Sequence, residues 1–174
     1  MTIRKILTEP NPFLRQKSQP VDKVDNSTRK LMDDMLETMY NAPGIGLAAI
    51  QIGVPKRIIV LDISKNPEKK EPMYFVNPEI VSASKDDVTY EEGCLSVPGQ
   101  FAEIDRPDKC HIKYLDYNGS AKELKAEGLL ATCIQHEIDH LEGILFIDYL
   151  SKLKKSMIIK KLSKQKKELE RIVV

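Results

Sequence analysis

Cysteine and histidine are both scarce in this sequence, with three residues of each. The cysteines are too few and too scattered for a disulfide framework, and their odd number favours reduced thiols, one of which could bind a metal. A site that needs two histidines can be built in few ways. The residues concerned are Cys94, Cys110, Cys133, His111, His136 and His140.

Long apolar runs are also missing. No stretch approaches the roughly 20 apolar residues that a membrane span requires, and residues 1–15 resemble neither a signal peptide nor a transit peptide. We therefore expect a cytoplasmic protein with no membrane partner. A length of 174 residues predicts one domain with a sizeable core.

The charges are unevenly distributed, although the net charge is only +1. Residues 151–174 contain nine basic and two acidic side chains, whereas the first 150 residues contain 18 basic and 24 acidic side chains. A basic tail on an acidic body suggests that the tail meets a polyanion. The alternative is a solvated helix without a partner.

Hydrophobic periodicity predicts two helices before the tail. Apolar residues at three-to-four spacing indicate an amphipathic helix from Asp25 to Asn41, which Asn26 or Ser27 can cap. An unusually apolar helix is predicted from Gly128 to Leu141, with Gly143 as its C-cap, and should lie buried against a sheet.

A third, basic helix is predicted from Ser151 onward, and its apolar stripe should dock on the body. The stripe consists of Leu153, Met157, Ile158, Leu162 and Leu169. Between the first two helices the pattern predicts strands at 57–63, 74–83, 110–117 and 121–126, and an exposed loop at 65–72. We therefore predict an α+β fold, with mixed, mainly antiparallel sheets around a central buried helix and a helix at each end of the chain.

The buried helix contains the segment Gln135-His136-Glu137-Ile138-Asp139-His140. Side chains four residues apart project from one face of a helix, so His136 and His140 can share a metal ion. Glu137 can reach a metal-bound water and take its proton. A chance pattern of surface histidines is the alternative, but polar residues in so apolar a helix need partners. Asp139 is expected either to orient a neighbouring group or to make a local salt link.

A catalytic metal site usually has three protein ligands and one open position. The candidates for the third ligand are Cys94, His111, Cys110 and the carboxylates. Cys94 lies in a turn-like stretch, residues 91–99, and a loop thiolate is a strong ligand beside two imidazoles. Taken alone, Cys94 is better explained as a small buried core residue. Because the histidine pair is present, we prefer the role of metal ligand.

Small residues dominate the segment 44–53, and they permit close approach by a ligand. Gln51 supplies an uncharged amide donor in this apolar segment, and a developing oxyanion would be a suitable acceptor for it. The segment lacks the Gly-Lys-Ser/Thr ending of a phosphate loop. Glycine-rich turns are common, so the segment alone predicts little.

Three segments, GIGLAAIQIG, EEGCLSVPG and QHEIDHLEG, resemble in the same order the signature motifs of the peptide deformylase family. The similarity extends over roughly Ile6 to Leu150. It implies a metal-dependent hydrolase that removes the formyl group from the N-terminal methionine of new polypeptides and releases formate. By this resemblance, Cys94, His136 and His140 would bind one divalent ion, and Glu137 would act as general base and then as general acid.

The resemblance also implies roles around the metal. The side-chain amide of Gln51 and the backbone N–H of Leu95 would stabilise the oxyanion, and Gly46 would bond to the substrate backbone. The pocket for the methionine side chain would be lined by Ile45, Tyr90, Leu129 and Cys133. No role is assigned to His111 or Cys110, which are expected to be an ordinary strand residue and a buried apolar residue.

The resemblance implies Fe²⁺ in the cell, with Zn²⁺, Ni²⁺ or Co²⁺ possible in a purified sample. The expected partners are N-formylmethionyl nascent peptides and, through the basic helix, the ribosome at its RNA phosphates, but not DNA. Residues 1–150 would be the catalytic domain, and residues 151–174 the basic C-terminal helix of the same single domain.

Two residues depart from the family pattern. Ile50 stands where many relatives have proline or threonine, and this bulkier residue is expected to narrow the entrance of the site or to alter the fit of inhibitors without affecting the chemistry. Phe101 stands where some relatives have a polar residue, which leaves substrate contacts beyond methionine open.

Two other functions fit parts of the pattern. A metalloendopeptidase would use the same pair of histidines, but it would need a third ligand after the helix. A non-catalytic metal-binding or ribosome-binding protein would typically lack the glutamate of the histidine motif, and Glu137 is present.

Overall fold

Seven strands and three α-helices lie in the part of the chain that the computed structural model describes, residues 2–66 and 68–172. The helices are α1 (Asn26–Asn41), α2 (Gly128–Leu141) and α3 (Lys152–Ile172). The strands are β1 (Gly46–Ala48), β2 (Ile58–Leu61), β3 (Met73–Ala83), β4 (Asp87–Cys94), β5 (Val97–Pro107), β6 (Lys109–Leu115) and β7 (Ala121–Glu127). Met1, Pro67 of the predicted loop, and Val173 and Val174 of the predicted tail lie outside the described residues.

The strands form two antiparallel sheets. One has five strands in the order β1-β2-β3-β6-β7, and the other is the hairpin of β4 and β5. The predicted α+β class and its mainly antiparallel sheets are confirmed. Among the described helices, none combines the length and the apolarity that a membrane crossing requires.

The five-stranded sheet lies between α1 and α2. Successive residues of a strand point to opposite faces of the sheet, so one strand can pack on both helices. Ile58 and Val60 of β2 pack on the side of α1, against its methionines, whereas Ile59 and Leu61 pack on the side of α2. The helix α2 is therefore covered by the sheet, and all but one of its residues from Ala131 to Leu141 are buried. The predicted central buried helix is confirmed.

The residue that caps the first helix lies directly before the two predicted caps. The side chain of Asp25, rather than that of Asn26 or Ser27, accepts a hydrogen bond from the Thr28 N–H at 2.8 Å. Gly143 follows α2 in a left-handed conformation with φ of +74°, as predicted for a C-terminal cap. A side chain at this position would collide with the backbone carbonyl of Arg15.

The hairpin β4–β5 was not predicted, and the prediction that Cys94 lies in a loop was wrong. Cys94 is the last residue of β4, beside a register shift that separates it from Gly93. Acidic side chains occupy many positions of both strands, and such residues are depleted in strands, so the pattern concealed them.

The third helix docks over a narrower face than its apolar stripe predicts. Ile158, Ile159 and Leu162 join a cluster under the hairpin. Other members of the stripe face solvent, with exposures of 72% for Leu153, 61% for Met157 and 65% for Leu169. The main contacts of the helix within the described residues are with β5 and with the 3-10 turn at Phe146–Tyr149, and most of its later residues are exposed.

Candidate metal centre

Three side chains from two elements meet at one end of the hairpin. Cys94 ends β4, and His136 and His140 project from α2. The Cys94 Sγ lies 3.2 Å from the Nε2 of His140, and the ligand atoms of the three residues all lie within 4.8 Å of one another. Within the described residues, these three side chains form a group of potential ligands that could hold a metal ion. The arrangement matches the pair of imidazoles and the thiol expected from the sequence.

Helix geometry and a carboxylate together orient the imidazoles. The rings of His136 and His140 are 5.1 Å apart, as expected for successive turns of a helix. The His136 Nδ1 lies 2.8 Å from Glu92 Oε2, so this carboxylate fixes the ring and leaves Nε2 free for a metal.

An ionic network, which the sequence did not predict, supports Glu92. The buried guanidinium of Arg106 donates from Nε to Glu92 at 2.6 Å and from Nη1 to Asp139 at 2.8 Å. The hydroxyl of Tyr149 donates to the same carboxylate of Asp139 at 2.8 Å. Asp139 thus makes the local salt link that the sequence left open. Residues two apart in a strand point to the same side, so a strand at this position would have predicted Glu92 on the side of the Cys94 thiol. The sequence did not predict β4, and this signal was missed.

The electrostatics of the network follow from burial and from ionic partners. Burial by itself raises the pKa of Glu92, but hydrogen bonds from His136 and Arg106 outweigh it and lower the pKa overall. Burial, aided by the charge of His136, lowers the pKa of His140 well below its usual value. His140 is therefore neutral, which is the form that binds a metal.

Glu137 lies beside the ligand group with its side chain buried. Its Oε2 has no hydrogen-bond partner among the described residues, and burial raises its pKa to about 7. A Cβ added to Gly46 would collide with the Oε1 of Glu137, so the glycine leaves room for this carboxylate. An unpartnered carboxyl with such a pKa is suited to accept and return a proton.

Gln51 faces the centre from the 3-10 turn at Ala49–Ile52. Its Oε1 accepts a hydrogen bond from the Ala48 N–H at 2.8 Å, which fixes the orientation of the amide. Its Nε2 donates to Ser96 Oγ at 3.0 Å and lies 3.6 Å from Cys94 Sγ. The amide donor therefore points to the ligand group, and Ser96 is a partner that the sequence did not suggest.

A mostly apolar cavity of about 470 Å³ opens beside the ligand group. Cys94, His136, Glu137 and Gln51 all line it. Of the other residues predicted for the site, all but His140 line the same cavity; they are Ile45, Gly46, Tyr90, Leu95, Leu129 and Cys133. Burial raises the pKa of the Cys133 thiol to about 12, so this residue presents an uncharged, unreactive wall.

Four other residues named in the sequence analysis differ in whether they line the cavity. The prediction that Ile50 narrows the entrance was wrong, because its side chain is fully buried in the core between the sheet and α2. Phe101 does line the cavity. His111 lies in β6 and contacts Glu123 at 2.8 Å, and Cys110 is buried in the same strand, both outside the cavity lining.

The residues present fit a divalent ion. One thiol and two imidazoles form a donor set that suits several borderline metals, and Glu92 holds His136 at its Nδ1, so that Nε2 is the ligand atom of this ring. Glu137, next to His136 in the helix, adds a buried carboxylate oxygen without a hydrogen-bond partner in the described part of the chain. The arrangement has the composition of a hydrolytic metal site with one open position.

Comparison with known proteins gives consistent results. A family model described as polypeptide deformylase matches residues 3–156. The peptide deformylase of Pelagibacter ubique (strain HTCC1062) is 70% identical over the whole of both chains. The crystal structure of the Ehrlichia chaffeensis peptide deformylase in complex with actinonin is 48% identical with a TM-score of 0.91, and covers 95% of this chain and 98% of its own. A Met-Ala-Ser-bound class I type b peptide deformylase from Acinetobacter baumannii is 32% identical with a TM-score of 0.81, over 86% and 99% of the two chains.

Proposed function

The chain belongs to the peptide deformylase family, and from this premise we propose that it removes the N-formyl group from the N-terminal methionine of newly synthesised polypeptides and releases formate. The observation that supports this activity best is the position of Glu137. One of its carboxylate oxygens has no hydrogen-bond partner among the described residues. The side chain lies beside one thiol and two imidazoles, at the wall of a cavity large enough for a substrate side chain.

Cys94, His136 and His140 would hold one divalent ion. When bound, the ion supplies Lewis acidity, which lowers the pKa of a water molecule and polarises the formyl carbonyl. Glu92 and Arg106 keep the His136 ring oriented, so that its Nε2 stays directed at the ion.

Glu137 would transfer the proton in both halves of the reaction. Its carboxylate accepts a proton from the attacking water and then returns it to the nitrogen of the departing methionyl peptide. Burial raises the pKa of this carboxyl above its usual value, whereas a bound ion would lower it, so the ionised group would be ready to accept the proton beside the ion.

Gln51 and Leu95 would stabilise the charge that develops on the formyl oxygen. The Gln51 amide is fixed by Ala48 and Ser96, so little reorganisation accompanies the reaction. The backbone N–H of Leu95, next to Cys94, would be the second donor.

The cavity would bind the methionine side chain. Its apolar walls, formed in part by Ile45, Tyr90, Leu129 and Cys133, suit an unbranched thioether. The Acinetobacter relative binds Met-Ala-Ser, a peptide that begins with methionine, which supports this assignment. Gly46 lies on an edge strand, β1, where its backbone is available to a substrate backbone.

The activity can be tested by measuring formate release from formyl-Met-Ala-Ser by the metal-loaded protein. We expect one formate and one free methionyl amine per turnover. Cleavage of an internal peptide bond of the same substrate would favour a metalloendopeptidase. A protein that holds its metal and catalyses neither reaction would indicate a non-catalytic binding role.

Fe²⁺ is the proposed metal in the cell. A thiolate beside two imidazoles binds Fe²⁺, Zn²⁺, Ni²⁺ and Co²⁺, so availability decides which ion is present. Purification without oxygen followed by metal analysis should give about one iron per chain. Zinc at the same stoichiometry, with full activity, would contradict the assignment.

We propose that the chain is a single domain, in which residues 1–150 form the catalytic part and residues 151–174 form the basic helix. This helix is proposed to contact the ribosome. Lys160, Lys161 and Lys164 of α3 are exposed, so they are available to RNA phosphates. Replacing the three lysines by glutamate should weaken ribosome binding, with formate release from a free peptide as the control for folding. Binding that is unchanged, or insensitive to salt, would refute the contact. Since formylated chains emerge from ribosomes, the cytoplasm is the proposed location.

A further inference from the structure

Tyr149 is the last residue of the 3-10 turn at Phe146–Tyr149, and it lies over the ionic network beside the metal centre. The central carbon of the Arg106 guanidinium is 4.8 Å from the centroid of the Tyr149 ring, which is close enough for a cation–π contact. Tyr149 is 51% exposed, whereas the Arg106 side chain is 3% exposed. The ring therefore covers one side of the guanidinium and keeps it from solvent.

The hydroxyl group of Tyr149 makes a second contact with the network. It donates to Asp139 Oδ2 at 2.8 Å, and the same oxygen accepts a hydrogen bond from Arg106 Nη1, also at 2.8 Å. The Asp139 side chain is partly accessible, so it can turn towards water. Hydrogen bonds to a charged group are stronger than those between neutral groups, and the tyrosine donor therefore helps to hold this carboxylate on Arg106.

Arg106 connects Tyr149 to a metal ligand. Its Nη2 donates to Glu92 Oε2 at 3.0 Å, and this oxygen lies 2.8 Å from His136 Nδ1. Without the tyrosine, one face of the guanidinium would be open to water and Asp139 would lose a donor. A guanidinium that can shift gives Glu92 more freedom, and the orientation of a ligating imidazole depends on its carboxylate partner.

The turn that carries Tyr149 is itself held firmly beside the metal centre. The buried ring of Phe146 stacks on the ring of His136, with 6.3 Å between the centroids and 23° between the planes. Asp148, also in the turn, accepts a hydrogen bond from Arg15 Nη1 at 2.6 Å. Tyr149 therefore has a defined position relative to the network, although half of its surface faces solvent.

We propose that Tyr149 is a positioning residue for the metal centre, which covers Arg106 and donates to Asp139 and thereby keeps His136 in the orientation that binds the ion. This inference rests on the proposed function, which assigns the metal and its ligands. Tyr149 lies outside the cavity lining. Its loss should therefore weaken metal binding and leave the KM for a formylated peptide unchanged in the fully metal-loaded protein.

Two substitutions separate the hydroxyl group from the ring. Tyr149→Phe removes the hydrogen bond to Asp139, and the Kd for Zn²⁺, measured by competition with a chelator, should rise about three- to tenfold, near the low end of what the loss of a supporting group costs. Tyr149→Ala also uncovers Arg106, and the Kd should rise by about 10- to 100-fold. The visible absorption bands of the Co²⁺-loaded protein should shift in both variants, because these bands depend on the ligand geometry.

Tyr117→Phe is the matched control. The Tyr117 hydroxyl donates to Asp33 at 3.2 Å, so the change also removes a hydrogen bond from a tyrosine to an aspartate, but on the α1 side of the sheet. This variant should keep the wild-type Kd for Zn²⁺ and the wild-type Co²⁺ spectrum. A wild-type Kd in both Tyr149 variants would overturn the proposal. A lower free energy of unfolding of the metal-free protein without a change in Kd would show a purely structural role and also counts against it.

The route through Asp139 can be tested in an Asp139→Asn background. The hydroxyl group has lost its charged acceptor there, so adding Tyr149→Phe should change the Kd for Zn²⁺ by a smaller factor than in the wild type. An equal factor in the two backgrounds would mean that Tyr149 acts by another route, which contradicts the proposal.

Metal affinity and formate release separate this inference from the proposed function. If Tyr149→Phe binds Zn²⁺ more weakly but no formylated peptide releases formate, the proposed function fails and the role of Tyr149 stands. If formate is released and the Tyr149 variants bind Zn²⁺ as tightly as the wild type, the opposite holds.

Discussion

Arg106 holds Glu92 through both oxygens of its carboxylate, from Nε to Oε1 at 2.6 Å and from Nη2 to Oε2 at 3.0 Å. Both side chains are almost completely buried, with exposures of 3% for the guanidinium and 5% for the carboxylate. The second oxygen of Glu92 also contacts the Nδ1 of His136. The orientation of a metal ligand on α2 thus depends on an ion pair within the hairpin β4–β5.

Replacing Arg106 by methionine should therefore affect both stability and metal binding. The change leaves the buried carboxylate of Glu92 without its partner, and we expect a loss of about 3–5 kcal/mol in the free energy of unfolding. Metal affinity should fall by about 10- to 100-fold, because His136 loses its support. Denaturant unfolding and metal titration measure the two effects. Lys109→Met, which breaks an exposed pair with Glu127, should change neither.

Replacing Glu137 by glutamine should abolish most turnover and leave the metal in place. The three ligands are unchanged, but the proton acceptor is lost, so kcat should fall by about 10²- to 10⁴-fold. Formate release and metal content, measured on the same sample, check the prediction. Near-normal turnover would mean that another group accepts the proton.

Replacing Cys94 by alanine should act on metal retention instead. The thiolate is one of three ligands, so affinity should fall by more than about 100-fold, beyond the usual effect of losing a supporting group. Cys110→Ala is the matched control, since that thiol is buried in β6 and outside the ligand group. Equal metal contents of the two variants after dialysis against a chelator would exclude Cys94 as a ligand.

Replacing Gly46 by alanine should displace the Glu137 carboxylate. The added Cβ would collide with Glu137 Oε1 and would lie 2.8 Å from a methyl carbon of Leu61. We expect reduced kcat with retained metal, and a stability cost of about 1–3 kcal/mol from the crowding. Turnover at the wild-type level would show that the site relaxes around the methyl group at no cost to catalysis.

Acid should weaken the fold partly through Asp34, which is remote from the metal centre. Burial raises the pKa of this fully buried carboxyl, but hydrogen bonds from Arg4, the Thr2 N–H and Lys30 outweigh it and lower the pKa overall. A lowered pKa gives stability that is present above the unfolded-state value of about 3.9 and is lost as the pH falls through the folded-state value. The stability difference between the wild type and Asp34→Asn should therefore be constant near neutral pH and shrink below about pH 4. Unfolding curves as a function of pH test this, and a difference that grows in acid would contradict it.

Local geometry explains why much of the site was predictable. Two histidines one helical turn apart must share a face, and an apolar helix must be buried, so the ligand pair and its surroundings followed from the segment around Glu137. The strands flanking the Asn118-Gly119 turn were likewise predictable, because that dipeptide is typical of hairpins.

Long-range packing explains what the sequence did not reveal. The partnership of Glu92 with Arg106 depends on the register of β4 and β5, whose charged residues conceal the alternation. Ile50 is buried because the 3-10 turn at Ala49–Ile52 directs it into the core, and no periodicity indicates that direction. The pattern of α3 predicts an apolar face but not where the body of the protein ends, so Leu169 was wrongly assigned to the docked side.

The hairpin shares no strand ladder with the five-stranded sheet in the described parts of the chain, yet it supplies one of the ligands while α2 supplies the other two. A bound ion would therefore join the hairpin to α2 as a covalent crosslink would, in addition to the hydrogen bonds that Glu92 and Arg106 make with this helix. It closes a long loop of chain between Cys94 and His136, which reduces the conformational freedom of the unfolded state for as long as the ion stays bound. Loss of the ion would thus release a structural tether as well as a reactive centre.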